Sequence, residues 1–169
     1  MKVKYCIVFS GAIGSSKSPI AHHVGWNLGL PVFNNDTLRT EVKEDLLDFD
    51  SEEYEKRRDD RLFSLLDSGK SFIYDASIDR NWQSLKEKLE ENDYEYFIIN
   101  LDLSETLLRK LYEAKGYVDS EKNLDSNQAD HQAFVEKHKH LVNLRIDDEM
   151  FSQRLELSLK AVSSWVESK

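Results

Sequence analysis

A chain of 169 residues, 40% hydrophobic and 33% charged, has enough apolar material for one well-packed core and falls among ordinary globular proteins. Its net charge of −9 argues against a broad basic surface for duplex nucleic acid, while leaving room for a small basic pocket that takes one phosphate or one strand end. The single cysteine excludes an internal disulfide, no apolar run approaches the ~20 residues of a membrane span, and the first strand begins too early to leave space for a signal peptide.

A reducing, cytoplasmic setting is therefore expected. Residues 3–9 read as a strand buried on both faces, because they are continuously apolar and rich in Val and Ile. Cys6 lies within it as a small hydrophobe. The loop Gly11-Ala12-Ile13-Gly14-Ser15-Ser16-Lys17-Ser18 follows, and a helix over 17–28 follows the loop. Pro19 sits in that helix's first turn, where a missing N–H does little harm, and Gly29 suits its C-cap. His22 and His23 have no neighbouring ligand residues and read as surface or packing side chains.

Residues 31–35 form a short second strand. Asp36 then suits the N-cap of a helix with Leu38, Val42 and Leu46 on one face. Asp50 and Glu53 open the next helix as a capping-box-like pair; Tyr54, Leu62, Leu65 and Leu66 line it and Gly69 stops it. Residues 71–75 make a third strand ending in Asp75. Asp79 is expected to cap a helix carrying Trp82, Leu85 and Leu89. Residues 96–101 make a fourth strand, and a helix from Ser104 to Gly116 follows. Residues 117–126 are polar and read as irregular, with a lid expected over about 115–127. A helix over 127–140, a fifth strand over 142–146 and a last helix striped by Phe151, Leu155, Leu159, Val162 and Trp165 complete the chain.

Five apolar strands alternating with helices predict a single α/β domain over 1–169. The expected form is a three-layer fold with a five-stranded parallel sheet flanked by helices. Ligands of such sheets bind at the carboxyl ends of the strands. Three candidate groups converge there: the Gly-rich loop, Asp36 and Asp75. Glycines in such a loop let backbone N–H groups turn around an anion, and the following helix adds unpaired donors and a positive dipole end. The loop from Gly11 to Ser18 is therefore the candidate nucleotide site, with Lys17 reaching the β- and γ-phosphates and Ser18 holding Mg²⁺. The pattern departs from the usual one at Ser16, where a glycine is expected immediately before the lysine; a left-handed backbone there would strain a residue with a Cβ.

Asp36 is the candidate general base for an acceptor hydroxyl, and Asp75 the candidate acid that holds Mg²⁺ with Ser18. Each also reads as a cap or loop residue. Arg39, three residues after Asp36, shares its helix face and suits an anionic group on an acceptor, or a surface ion pair. Arg109, with Lys110 and Lys115, precedes the expected lid and could bring charge onto the phosphates, or complement a helix C-terminus.

The loop, the segment Asn35-Asp36-Thr37-Leu38-Arg39 and the strand end Phe72-Ile73-Tyr74-Asp75 resemble the small P-loop kinases, most closely the polynucleotide-kinase and zeta-toxin-like set. The resemblance implies a P-loop NTPase fold and ATP and Mg²⁺ as cosubstrate and cofactor. It further implies Asp36 as base, Arg39 as an acceptor contact, and a nucleotide plus a small-molecule acceptor as partners. Ala76-Ser77-Ile78 stand where shikimate kinases place glycines. The region around Arg109 lacks the several arginines the family shows in its lid. Together with Ser16 this keeps a second reading open, a degenerate P-loop module that binds nucleotide without catalysis. A regulatory GTPase is disfavoured, since no Asn-Lys-x-Asp motif occurs and no Asp-x-x-Gly follows the third strand. Acceptor, base preference and oligomeric state stay open.

Overall fold

Strand β1 (Lys4–Ser10) is buried from Tyr5 onward, which is why its sequence is continuously apolar rather than alternating. The computed structural model describes residues 3–117 and 123–169. After β1 come α1 (Lys17–Leu28), β2 (Val32–Asn34), α2 (Asn35–Leu46), α3 (Ser51–Asp67), β3 (Phe72–Ser77), α4 (Trp82–Glu91), β4 (Tyr94–Leu101) and α5 (Glu105–Lys115). The chain continues with α6 (Leu124–His138), β5 (Leu144–Ile146) and α7 (Arg154–Glu167).

All strands pair in parallel, in the order β2-β3-β1-β4-β5. Tyr5, Ile7 and Phe9 face one layer, with Ile20 and Val24 of α1, Leu108 of α5 and Val162 of α7. Cys6 and Val8 face the other, with Leu66 of α3, Leu85 of α4 and Phe134 of α6. The expected three-layer fold with five parallel strands is thus observed. Strand order turns back at β1, whose neighbours are β3 and β4, so the carboxyl ends of these three strands frame one crevice. Among the described residues no helix is long and apolar enough to cross a membrane.

Several boundaries differ from expectation. Helix α2 starts at Asn35, and its cap is Asn34 rather than Asp36: the Asn34 side chain accepts from Thr37 N at 3.0 Å, with Asn34 itself extended at φ −108°. Asp79 does not cap α4, which begins at Trp82 with no side-chain cap. Its carboxylate is drawn instead to Gly11 N and His131. Helix α6 begins at Leu124, three residues early, because Leu124 is fully buried in the core and pulls the segment into order. The expected lid falls partly on residues 118–122, outside the described residues; 115–117 end α5 and 123–127 open α6.

Candidate active site

The Gly-rich loop leaves β1 and closes on the first turn of α1. Gly11 (φ 142°) and Gly14 (φ 76°) take conformations open to glycine. A Cβ at Gly14 would lie 2.5 Å from Tyr112 Cε1, and the Tyr112 hydroxyl donates to Ile13 O at 2.5 Å, so α5 pins the loop from outside. Ser16 is left-handed, φ 80° and ψ 29°, in the position where the usual pattern has glycine. Its hydroxyl accepts from Arg154 Nε at 2.8 Å. Arg154 is steadied in turn by Phe151 O at 3.0 Å and by the Phe151 ring, 4.2 Å from its guanidinium. Lys115 Nζ donates to Gly14 O at 2.7 Å. From sequence Lys115 reads only as a cation ahead of the lid and Arg154 is not singled out, because each reaches the loop from more than 100 residues away.

Lys17 Nζ donates to Gly11 O at 2.9 Å and Ala12 O at 2.6 Å. Burial pushes its pKa down to about 8, against the pull of Asp79, Asp75 and Asp36 and together with repulsion from Lys115. No side chain caps the first turn of α1 and no acid stands in it, so its N–H donors carry no side-chain cap. This is the cradle that an anionic phosphate chain requires.

Ser18 Oγ donates to Asp75 Oδ1 at 3.1 Å, and Asn34 Nδ2 donates to Asp75 Oδ2 at 2.5 Å. Burial raises the Asp75 pKa; the bonds from Ser18 and Asn34 oppose that shift. Two hard oxygen donors side by side suit Mg²⁺, which takes only one or two protein oxygens and keeps its other positions for water and phosphate. The residues present therefore fit the ion. Asn34 went unnoticed from sequence as a support for Asp75, although its place at a strand end beside Asp36 was a usable signal.

Asp36 is exposed in the first turn of α2, and its charge is the weakest of the acidic influences on Lys17. Arg39 lies over the Phe49 and Tyr54 rings, at 4.7 and 5.1 Å, and is thus held between α2 and α3. Arg109 forms a two-pronged pair with Glu105 one turn away, both contacts 2.7 Å. The loop, Lys17, Ser18 and Asp75 are in direct contact, whereas the ring contacts of Arg39 and the ion pair of Arg109 lie outside that group and Asp36 acts on it through charge.

Sequence reading missed a second group. The Asp79 carboxylate accepts from Gly11 N at 3.2 Å and meets His131 Nδ1 at 3.1 Å. The other ring nitrogen, Nε2, lies 3.9 Å from Asp102 Oδ1, so the imidazole stands between two carboxylates. Asn127 lies one turn before His131 on α6, and its Oδ1 accepts from Arg80 at 3.3 Å. A cavity of about 180 Å³ opens here between the loop, the β3–α4 turn and α6. The available signal was a stripe, Asn127, His131 and Phe134, at helical spacing with polar residues where apolar ones belong.

No family model matches the sequence, and no curated protein is significantly similar to it. Solved structures do resemble it. A gluconokinase from Sinorhizobium meliloti 1021 matches with a TM-score of 0.66 at 16% identity, covering 99% of this chain and 97% of that one. A sugar kinase from Janibacter sp. HTCC2649 matches at 0.63 and 18% identity, covering 95% of each. The APS kinase of Mycobacterium tuberculosis, in complex with AMPPNP and APS, matches at 0.60 and 16% identity, covering 96% and 99%. The five-stranded parallel sheet flanked by helices is the fold of these P-loop kinases, over nearly their whole length.

Proposed function

We propose that the protein is an ATP- and Mg²⁺-dependent phosphotransferase that moves a γ-phosphoryl group to a hydroxyl of a small-molecule or nucleotide-like acceptor. The observation that supports this most is the junction of β1 and α1. There Gly14 and Ser16 hold left-handed conformations, Lys17 lies beneath the loop, and Ser18 touches Asp75. That combination serves phosphate chains and a divalent ion better than any other ligand class.

In this reading residues 11–18 bind the phosphates of ATP, and Ser18 and Asp75 hold the ion. Mg²⁺, when bound, neutralises charge on the transferring group and aligns it. Lys17 spreads its charge over the β- and γ-phosphates. Asp36 accepts the acceptor's hydroxyl proton as the new oxygen–phosphorus bond forms and the bond to the β-phosphate oxygen breaks, releasing ADP. Arg39 steadies an acceptor from the α2–α3 side, and Arg109 is the candidate cation from the lid side. The motif likeness to the polynucleotide-kinase and zeta-toxin-like set supports the roles of Asp36 and Arg39.

The strained Ser16 favours one competing reading, a loop that binds nucleotide without turnover. Phosphate transfer from labelled ATP separates the two. Asp36→Asn should slow acceptor-dependent transfer by roughly 10²–10⁴ with ATP affinity unchanged. Transfer at the parent rate would remove Asp36 from the role of base. Absence of acceptor-dependent ADP release in the parent, with ATP bound, would favour the non-catalytic module.

A further inference from the structure

We infer that the cavity between the loop, the β3–α4 turn and α6 is the acceptor pocket, and that it selects an uncharged polyhydroxylated molecule over a carboxylate- or phosphate-bearing one. The inference rests on the phosphotransferase reading and adds the substrate class to it. The cavity measures about 180 Å³ and touches Gly11, Ala12 and Ile13 of the loop, so its occupant lies next to the phosphate cradle; Asp36 and Arg39 do not line it, so the reacting hydroxyl must project out of the cavity toward α2. It is smaller than the ~300–1,000 Å³ of pockets for drug-sized ligands, which limits the occupant to a small skeleton.

Its walls are built for hydroxyl groups. Asn127, 8% exposed, lines the cavity, and its Nδ2 has no hydrogen-bond partner among the described residues. A buried amide N–H left unpaired is costly, so the site is incomplete without an acceptor atom there. Three further buried polar atoms lack a hydrogen bond among the described residues, none of them lining the cavity itself: His131 Nε2, one turn after Asn127 on α6 and 3.9 Å from Asp102 Oδ1, Ser10 Oγ and Asn100 Oδ1. Ser10 and Asn100 are register partners at the ends of β1 and β4 and share the sheet face that α6 covers. Asp79 and Asp130 add carboxylates to the lining. Hydroxyls donate to such carboxylates and accept from such amides, and only a group that does both satisfies this mixture.

The charges argue against an anion. Arg80 is the one cation among the described lining residues, and it is already committed: Nε to Asp130 at 2.5 Å and Nη2 to Asn127 at 3.3 Å. An anionic acceptor would face Asp79 and Asp130, and among the described lining residues no uncommitted cation offsets them. The nearest hydroxyl of a neutral polyol meets no such repulsion.

The test combines ligand-observed NMR binding with phosphate transfer from ATP. The probes are glycerol, ribose, glucose and a nucleoside, against glycerate, ribose 5-phosphate, gluconate and a nucleoside monophosphate. Expected are saturable binding and transfer for one uncharged probe, with its anionic counterpart at least tenfold weaker. Asn127→Leu should raise that probe's KM at least tenfold and leave the KM for ATP unchanged; Asn127→Ser is the fallback if the leucine variant does not fold. Asp130→Asn, at a half-exposed position, releases Arg80 and should improve the anionic counterpart about tenfold. A parent that prefers the anionic probe, an Asn127→Ser variant with unaltered KM, or no binding of any polyol overturns the assignment. Polyol binding without transfer to any probe upholds the pocket and overturns the phosphotransferase reading.

Discussion

At Ser16 two residue-scale effects oppose each other. A left-handed backbone costs a residue with a Cβ about 1–2 kcal/mol, and the bond from Arg154 to its hydroxyl repays part of that. Ser16→Ala keeps the strain and loses the bond, whereas Ser16→Gly loses both. Urea unfolding should therefore rank the alanine variant below the glycine variant by about 1 kcal/mol; equal midpoints would show that the position carries no strain. Lys17 gives a pH dependence. Its folded pKa of about 8 lies below the ordinary value of 10.5, so the unfolded chain binds more protons between those limits. Burial of the ammonium thus costs stability below pH 8, and that cost is relieved as pH rises toward 10.5. Phosphate binding needs the charged form, so affinity for Mg·ATP should fall about tenfold between pH 7 and 9, measured by calorimetry in buffers of matched ionic strength.

The element scale separates what the sequence shows from what it hides. Strands β1 and β4 were legible because burial on both faces makes them continuously apolar, and the loop was legible because its glycines, Lys17 and Ser18 stand at fixed spacing. The cap of α2 was not. Asn34, Asn35 and Asp36 are equivalent by local propensity, and only the end of β2, fixed by its pairing with β3, selects Asn34. Asp79 resembled a cap for the same reason, while its partners lie 68 and 52 residues away. Asn127 and His131 sat in a polar stretch that reads as solvated until α6 is laid on the sheet. The double duty of Asn34 gives a prediction. Asn34→Ala removes a cap worth about 1 kcal/mol and a donor to Asp75, so thermal unfolding should show a loss of about 1–2 kcal/mol. The Asp75 pKa should climb further, and Mg²⁺ titrated in the presence of ATP should bind more weakly. A variant unchanged in both would remove Asn34 from the metal side of the site.

For the molecule as a whole, one sheet carries both cores, and the loop, Ser18 and Asp75 meet at its carboxyl edge. Trp82 reports one face and Trp165 the other, whereas Trp26 is exposed. Chains keeping only Trp82 or only Trp165 should give coincident urea midpoints, because neither face can stay packed once β1 and β4 separate; distinct midpoints would show that the layers unfold independently. The parallel sheet follows from the alternation of strands and helices, and the fold agrees with that of solved kinases at 16–18% identity; the order β2-β3-β1-β4-β5, and with it the crevice at β1, is read from the folded chain. The identity of the acceptor does not follow from that order, since it depends on side chains that only the folded sheet brings together.

The central claim is that the loop from Gly11 to Ser18 works as a phosphate cradle despite Ser16. Calorimetric titration of ATP with Mg²⁺, with Lys17→Ala and a Mg²⁺-free run as controls, tests it most directly. The account expects saturable binding that is lost both without Mg²⁺ and without the Lys17 ammonium. No binding at millimolar ATP, or binding indifferent to Lys17→Ala, would contradict it.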